Sequence, residues 1–108
     1  MRRFSALSRQ SDFSRLRRHG RRLSAKNIII YRSDVLPGDP SSLVGITVSK
    51  SIGKAVTRNK LRRRLAAIVN EALAAQRAAR LLLVARPNAA AVPFAALRAE
   101  VASALERA

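Results

Sequence analysis

Val44-Gly45-Ile46-Thr47-Val48-Ser49-Lys50-Ser51-Ile52-Gly53-Lys54-Ala55-Val56-Thr57-Arg58-Asn59-Lys60-Leu61-Arg62-Arg63-Arg64-Leu65 changes its apolar period midway. Val44, Ile46 and Val48 alternate with Gly45, Thr47 and Ser49, the pattern of a half-buried strand. Past Gly53 the period lengthens to about 3.6 residues. Leu61, Leu65, Ile68 and Ala72 then share one stripe, with Val69 and Leu73 beside it, which predicts a long helix. The same stretch is unusually charged. Residues 49–64 hold seven cations in sixteen positions and no carboxylate. A solvated helix face ordinarily mixes signs so that i,i+4 pairs form, whereas Arg58, Lys60, Arg62, Arg63 and Arg64 meet no acid before Glu71. They repel one another until an anion arrives. Asn59 stands one turn from Arg63, away from the apolar stripe, and adds a planar donor and acceptor to the point charges. This mixture suits a folded polynucleotide.

Towards the N-terminus, Phe13 and Leu16 recur at helical spacing among Arg15, Arg17 and Arg18. The spacing predicts a short basic helix from Ser8 or Ser11 to about Arg18, with Ser11 as N-cap and Gly20 as stop. Ile28 to Tyr31 reads as a strand, and Pro37-Gly38-Asp39-Pro40 breaks the chain before Val44, giving two strands joined by a turn. Towards the C-terminus, the unbroken apolar run Leu81-Leu82-Leu83-Val84 predicts a central strand buried on both faces. Pro93 opens a closing helix whose one face carries Phe94, Leu97, Val101 and Leu105. The order helix, strand, strand, helix, strand, helix implies an α/β fold, an α+β two-layer sandwich of a small central sheet with packed helices. Residues 1–108 are expected to form a single domain, residues 1–7 a flexible N-terminus containing Phe4. No internal repeat is visible.

The 48% hydrophobic content argues for a folded chain despite a formal charge of +16. That charge is uneven. Residues 1–64 carry seventeen Lys and Arg against three acids, and residues 65–108 five against three, so the first part is the binding part. Absence of cysteine excludes disulfides and thiolate metal sites. Met1-Arg2-Arg3-Phe4-Ser5 lacks the apolar core that a signal peptide needs, and no apolar run approaches membrane-spanning length. The expectation is a cytoplasmic protein without a membrane partner.

A metal-dependent nuclease needs clustered carboxylates, but the six acids are scattered as Asp12, Asp34, Asp39, Glu71, Glu100 and Glu106. General acid-base cleavage wants paired titratable groups, and the one histidine, His19, reads as packing or capping beside Gly20. The inventory is a binder's, with no catalytic residue, no metal ligand and no cofactor held by the protein alone. Among the aromatic residues, Phe94 reads as core. Phe13 and Tyr31 read either as core or as a stacking platform, because a short basic helix laid on a sheet brings them to one groove. Gly45 reads as a close backbone approach or a bulge.

Ser49-Lys50-Ser51-Ile52-Gly53 and Ala55-Val56-Thr57-Arg58-Asn59-Lys60-Leu61-Arg62-Arg63 resemble the arginine-asparagine-arginine helix of the bacterial ribonuclease P protein family. Asp12-Phe13 and His19-Gly20 resemble that family's first helix and turn, Ile30-Tyr31 its first strand, and Leu82-Leu83-Val84-Ala85-Arg86 its last. The resemblance implies a left-handed βαβ crossover, which general rules disfavour. It implies a function in removing the 5′ leader of precursor tRNA, in a holoenzyme whose RNA subunit holds Mg2+ and does the chemistry. By the same resemblance Lys50, Lys54, Arg58, Asn59, Lys60, Arg62 and Arg63 bind the RNA subunit, while Phe13, Arg17 and Tyr31 bind the precursor tRNA leader. No protein partner is required. Two positions depart from the family pattern: Lys60 replaces an arginine and loses its planar fork, and Arg17 stands where relatives often place an aromatic. A ribosomal or general RNA-binding protein and a protein-only nuclease are the competing readings.

Overall fold

Six of the seven residues of the strand Ala79–Ala85 are buried, and its place in the sheet explains why. The structure, a computed structural model, describes residues 3–75 and 77–107. In chain order the elements are β1 (Ser5–Ala6), α1 (Gln10–His19), β2 (Arg21–Ser24), β3 (Ile28–Asp34), β4 (Leu43–Thr47), α2 (Ala55–Ala74), β5 (Ala79–Ala85) and α3 (Phe94–Glu106). The sheet order is β1-β4-β5-β3-β2, so β5 lies in the middle. It pairs parallel with β4, to which α2 connects it, and antiparallel with β3. The expected mixed fold, with a buried central strand, is observed.

Alternation along the strands separates two cores. Leu81 and Leu83 join Ile28, Ile30 and Val44 beneath Leu61, Leu65 and Ile68 of α2 and Leu97, Val101 and Leu105 of α3. On the other face Leu82 meets Leu16 of α1 and Leu7, with Phe13, Tyr31, Leu43 and Val84 half-covered around them. The stripes read for α2 and α3 thus face the core, with Ala72 and Leu73 only half-buried and Phe94 out of line. Phe94 is 40% exposed: helix side chains lean towards the N-terminus, so a residue in the first turn points past the body on which the helix packs.

Three further readings are corrected, and an edge strand is added. β3 and β4 follow one another in sequence but are not neighbours, because β5 inserts between them. A strand apolar on both sides gains more by central burial than a local hairpin would. Phe4, expected in a loose N-terminus, is only 9% exposed and belongs to the main core. The Ser5 amide donates to the Ser42 carbonyl at 3.0 Å and the Leu7 amide to that of Val44 at 2.9 Å, tying the N-terminal segment to β4. The N-cap of α1 is Arg9, without a side-chain bond, and Ser11 lies inside the helix. Finally, β2 is a charged edge strand with Leu23 alone buried, too short and polar to show a period.

Gly45 faces α1. A Cβ added there would lie 2.9 Å from Phe13 Cε1 and 3.1 Å from Leu7 Cδ2, so the close approach is between strand and helix. Gly45→Val is expected to lift Phe13 off β4 and destabilise the fold by about 1–3 kcal/mol, read as a lowered urea midpoint with unchanged slope.

Candidate nucleic-acid interface

The turn Lys50–Ile52 carries the chain out of β4, and Gly53 at φ +157° redirects it into α2. L side chains rarely adopt that conformation, and a Cβ would press on Thr57 at 3.3 Å. The Gly53 carbonyl accepts a hydrogen bond from Arg58 Nε at 3.2 Å, which draws this guanidinium against the bend. α2 then starts without a side-chain cap and without an acid in its first turn. Its free amide groups and the positive end of its dipole add to the field of Lys54 and Arg58.

Lys50, Lys54, Asn59, Lys60 and Arg63 are exposed, while Arg58, Arg62 and Arg64 are half-buried. Arg62 donates to Asn59 Oδ1 at 2.8 Å, so the amide of Asn59 is oriented by a neighbouring cation. The ion pairs among the described residues involve Arg32, Arg80 and Arg98, and none reaches the seven cations of residues 49–64. All seven sequence-read positions therefore gather at the start of one helix and the turn before it. Their charge is not paired with any acid among the described residues.

A second surface lies on the opposite sheet face. Strand register places Arg22, Tyr31, Leu82 and Gly45 in one row. α1 spans this row with Phe13 against Gly45 and the Arg17 guanidinium 6.0 Å from the centroid of the Tyr31 ring. Both Phe13 and Tyr31 are half-buried against the small core, so each packs and still presents surface. The next row, Ser24, Ile29, Val84 and Thr47, has no fully buried member. Beside it Arg86 donates to Ser24 Oγ at 2.9 Å. The result is a groove with an apolar floor and cationic rims formed by Arg17, Arg22 and Arg86. His19 is exposed at the end of α1, where Gly20 closes the helix by donating to the Leu16 carbonyl at 2.9 Å.

The sequence reading missed Arg22, Arg86 and above all Arg80. Arg80 is 6% exposed and lies on the α1 side of β5. Its Nη2 donates to Asp39 Oδ2 at 3.1 Å, and its Nη1 lies 3.6 Å from Asp12 Oδ1. One buried guanidinium thus ties the first turn of α1 to the loop between β3 and β4. No spacing in the sequence links these three positions. Asp39 also accepts from the hydroxyl and amide of Ser41; those bonds, and then the charge of Arg80, hold its carboxyl below the ordinary value of 3.8. Among the described residues no group of three His, Cys, Asp or Glu is placed to hold a metal ion.

Fold and surfaces together define a small, strongly basic α/β protein with cationic surfaces on two sides of one sheet. The sequence profile described as Ribonuclease P matches residues 1–108, and the chain belongs to that family, as a protein component of ribonuclease P. Similar relatives are the ribonuclease P protein components of Acidothermus cellulolyticus, 42% identical over 87% of this chain and 79% of the relative, and of Thermobifida fusca, 37% identical over 92% and 72%. The fold is shared with the ribonuclease P protein of Staphylococcus aureus, at a TM-score of 0.84 and 22% identity over 94% of this chain and 92% of that one. It is likewise shared with that of Thermotoga maritima, at 0.81 and 23% over 96% and 97%.

Arg80→Met is expected to leave Asp12 and Asp39 without their buried partner and to cost about 1–2 kcal/mol at neutral pH. A carboxyl with a depressed pKa stabilises the fold above its unfolded value and ceases to do so as pH falls through the folded one. The gap between wild type and variant in thermal melts should therefore narrow below pH 3.8, as Asp39 takes up a proton.

Proposed function

We propose that this protein serves a ribonuclease P holoenzyme in which it grips two RNAs at once while the RNA subunit cleaves the 5′ leader from precursor tRNA. The supporting observation is the separation of two cationic surfaces by the sheet: the start of α2 on the side of the main core, and the groove beside α1 on the other. In this reading Lys50, Lys54, Arg58, Asn59, Lys60, Arg62 and Arg63 hold the RNA subunit. Arg62 and Asn59 act as a hydrogen-bonded unit, and Lys60 supplies charge without a bidentate fork. The leader lies in the groove, where Tyr31 and Phe13 offer ring edges and faces to unstacked bases, and the guanidinium plane of Arg17 extends the platform over Tyr31.

Mg2+ is assigned in this proposal to the RNA, since the described residues of the protein do not form a site that fits it. The role of the chain is to bind, orient and neutralise. Each phosphate it covers lowers the repulsion between two folded RNAs and with it the concentration of salt and divalent ion that cleavage demands. A cytoplasmic location and independence of other proteins complete the reading.

Purified protein freed of RNA is expected to cut no precursor, and addition of the RNA subunit to restore cleavage at lower Mg2+ than the RNA needs alone. Co-sedimentation with ribosomal subunits and no effect on tRNA maturation would instead favour a general RNA-binding role. Assembly affinity should fall with salt, each neutralised phosphate adding roughly 0.7–0.9 to the log-log slope, and Asn59→Ala and Arg63→Ala should weaken it. Tyr31→Ala should weaken binding of leader-bearing precursor more than of mature tRNA, by about 1–3 kcal/mol where stacking is lost. Equal effects on both RNAs would remove Tyr31 from the groove's function.

A further inference from the structure

At the outer edge of the sheet, α2 does not cover the face on which it packs. β1 is only two residues long and is the last strand on this side, so the face ends in a notch rather than in a further strand. The notch encloses about 250 Å3. Val44 and the half-buried Ile46 of β4 form its floor, Phe4 and Ala6 the strand side, and Ala66 the helix side. Arg62 and Arg63 close it at the rim. It is thus an apolar cleft opening directly onto the cationic helix.

We infer that this notch receives one unstacked nucleobase of the RNA that α2 holds; the inference rests on the reading of α2 as the RNA-subunit contact. Three features favour that occupant. The rim carries two guanidiniums and none of the lining residues is acidic, so the occupant arrives attached to anions. The interior is apolar, so the part that enters is not itself a phosphate or ribose; a base, planar and apolar on its faces, is the group of a polynucleotide that suits it. The size agrees as well, lying below the roughly 300–1,000 Å3 of clefts that take drug-sized molecules. Arg62 is already oriented by its bond to Asn59, which leaves a guanidinium plane fixed at the mouth where a base would slide past it. Phosphates flanking that base fall to Arg63 and its neighbours on the exposed side of the helix.

The test fills the notch without touching charge. Ala66→Leu from the helix side, and Ala6→Leu from the exposed strand side, put a side chain where the base would sit, and retained thermal melts establish that each variant folds. Binding to a transcript of the RNA subunit is measured across salt. Base edges are mapped with dimethyl sulfate and the backbone with hydroxyl radicals. The expected result is a loss of about tenfold in affinity with an unchanged salt slope, as when one base loses its platform while phosphate contacts persist. One or a few bases guarded in the wild-type complex should become reactive in both variants, with backbone protection kept. Unchanged affinity and base pattern in both variants, or a wild-type complex that guards backbone alone, would overturn the notch and leave the RNA-binding role of α2 standing. Failure of the wild-type protein to bind the transcript would overturn both.

Discussion

Burial of β5 from both sides is the constraint on which the remaining structure hangs. Leu81, Leu82 and Leu83 are at most 1% exposed, and each such side chain contributes about 1.5–3 kcal/mol on leaving water. To bury Leu81 and Leu83 the chain lays α2 and α3 on one face; to bury Leu82 it lays α1 on the other. The helices follow from that demand, and so do the two surfaces. α2 must reach along the sheet for twenty residues, yet its buried side chains begin only at Leu61, so its first turns project beyond the core. α1 is only ten residues long and cannot cover its face, which leaves a groove.

Electrostatics then decides what those uncovered parts can do. Placing Lys54 and Arg58 at the positive end of α2 works against the helix dipole, and an acid in the first turn would have stabilised the helix better. The chain forgoes that gain. Repulsion among these cations is left unrelieved within the chain, and an anion placed against them would relieve it. The acids are spent elsewhere: Asp12 and Asp39 on Arg80, Glu71 on Arg98, and Glu100 on the amide and side chain of Asn27. Each of these contacts joins two elements, so the few carboxylates work as staples and not as a shield for the cationic surface.

How far the sequence reveals this depends on the range of each interaction. The stripe of α2, the continuous apolar run of β5 and the glycine-led bend between β4 and α2 are written within one or two turns of chain, and periodicity recovers them. The neighbours of β3 are not local: β5, about fifty residues later, takes the place that the nearer β4 would fill in a hairpin. β1 and β2 are short edge strands defined by their partners' hydrogen bonds, with no pattern of their own. The seven cations of residues 49–64 were legible because an acid-free run is unusual by itself. Arg80 was not, since its meaning lies in Asp12 and Asp39, which only the fold brings near.

Phe13, Gly45, Arg17 and Tyr31 show how packing shapes the groove. Missing a side chain at Gly45 lets the ring of Phe13 settle on β4, and that contact fixes the height of α1 above the sheet. Arg80, through Asp12, fixes the same helix at its first turn. With α1 held at these points, Arg17 one turn beyond Phe13 is carried over the Tyr31 ring. The packing residues therefore set the width of the groove that their own exposed edges line. A half-buried aromatic in such a position has already surrendered its side-chain entropy to the fold, so a contact on its open face would cost less than one on a fully exposed ring.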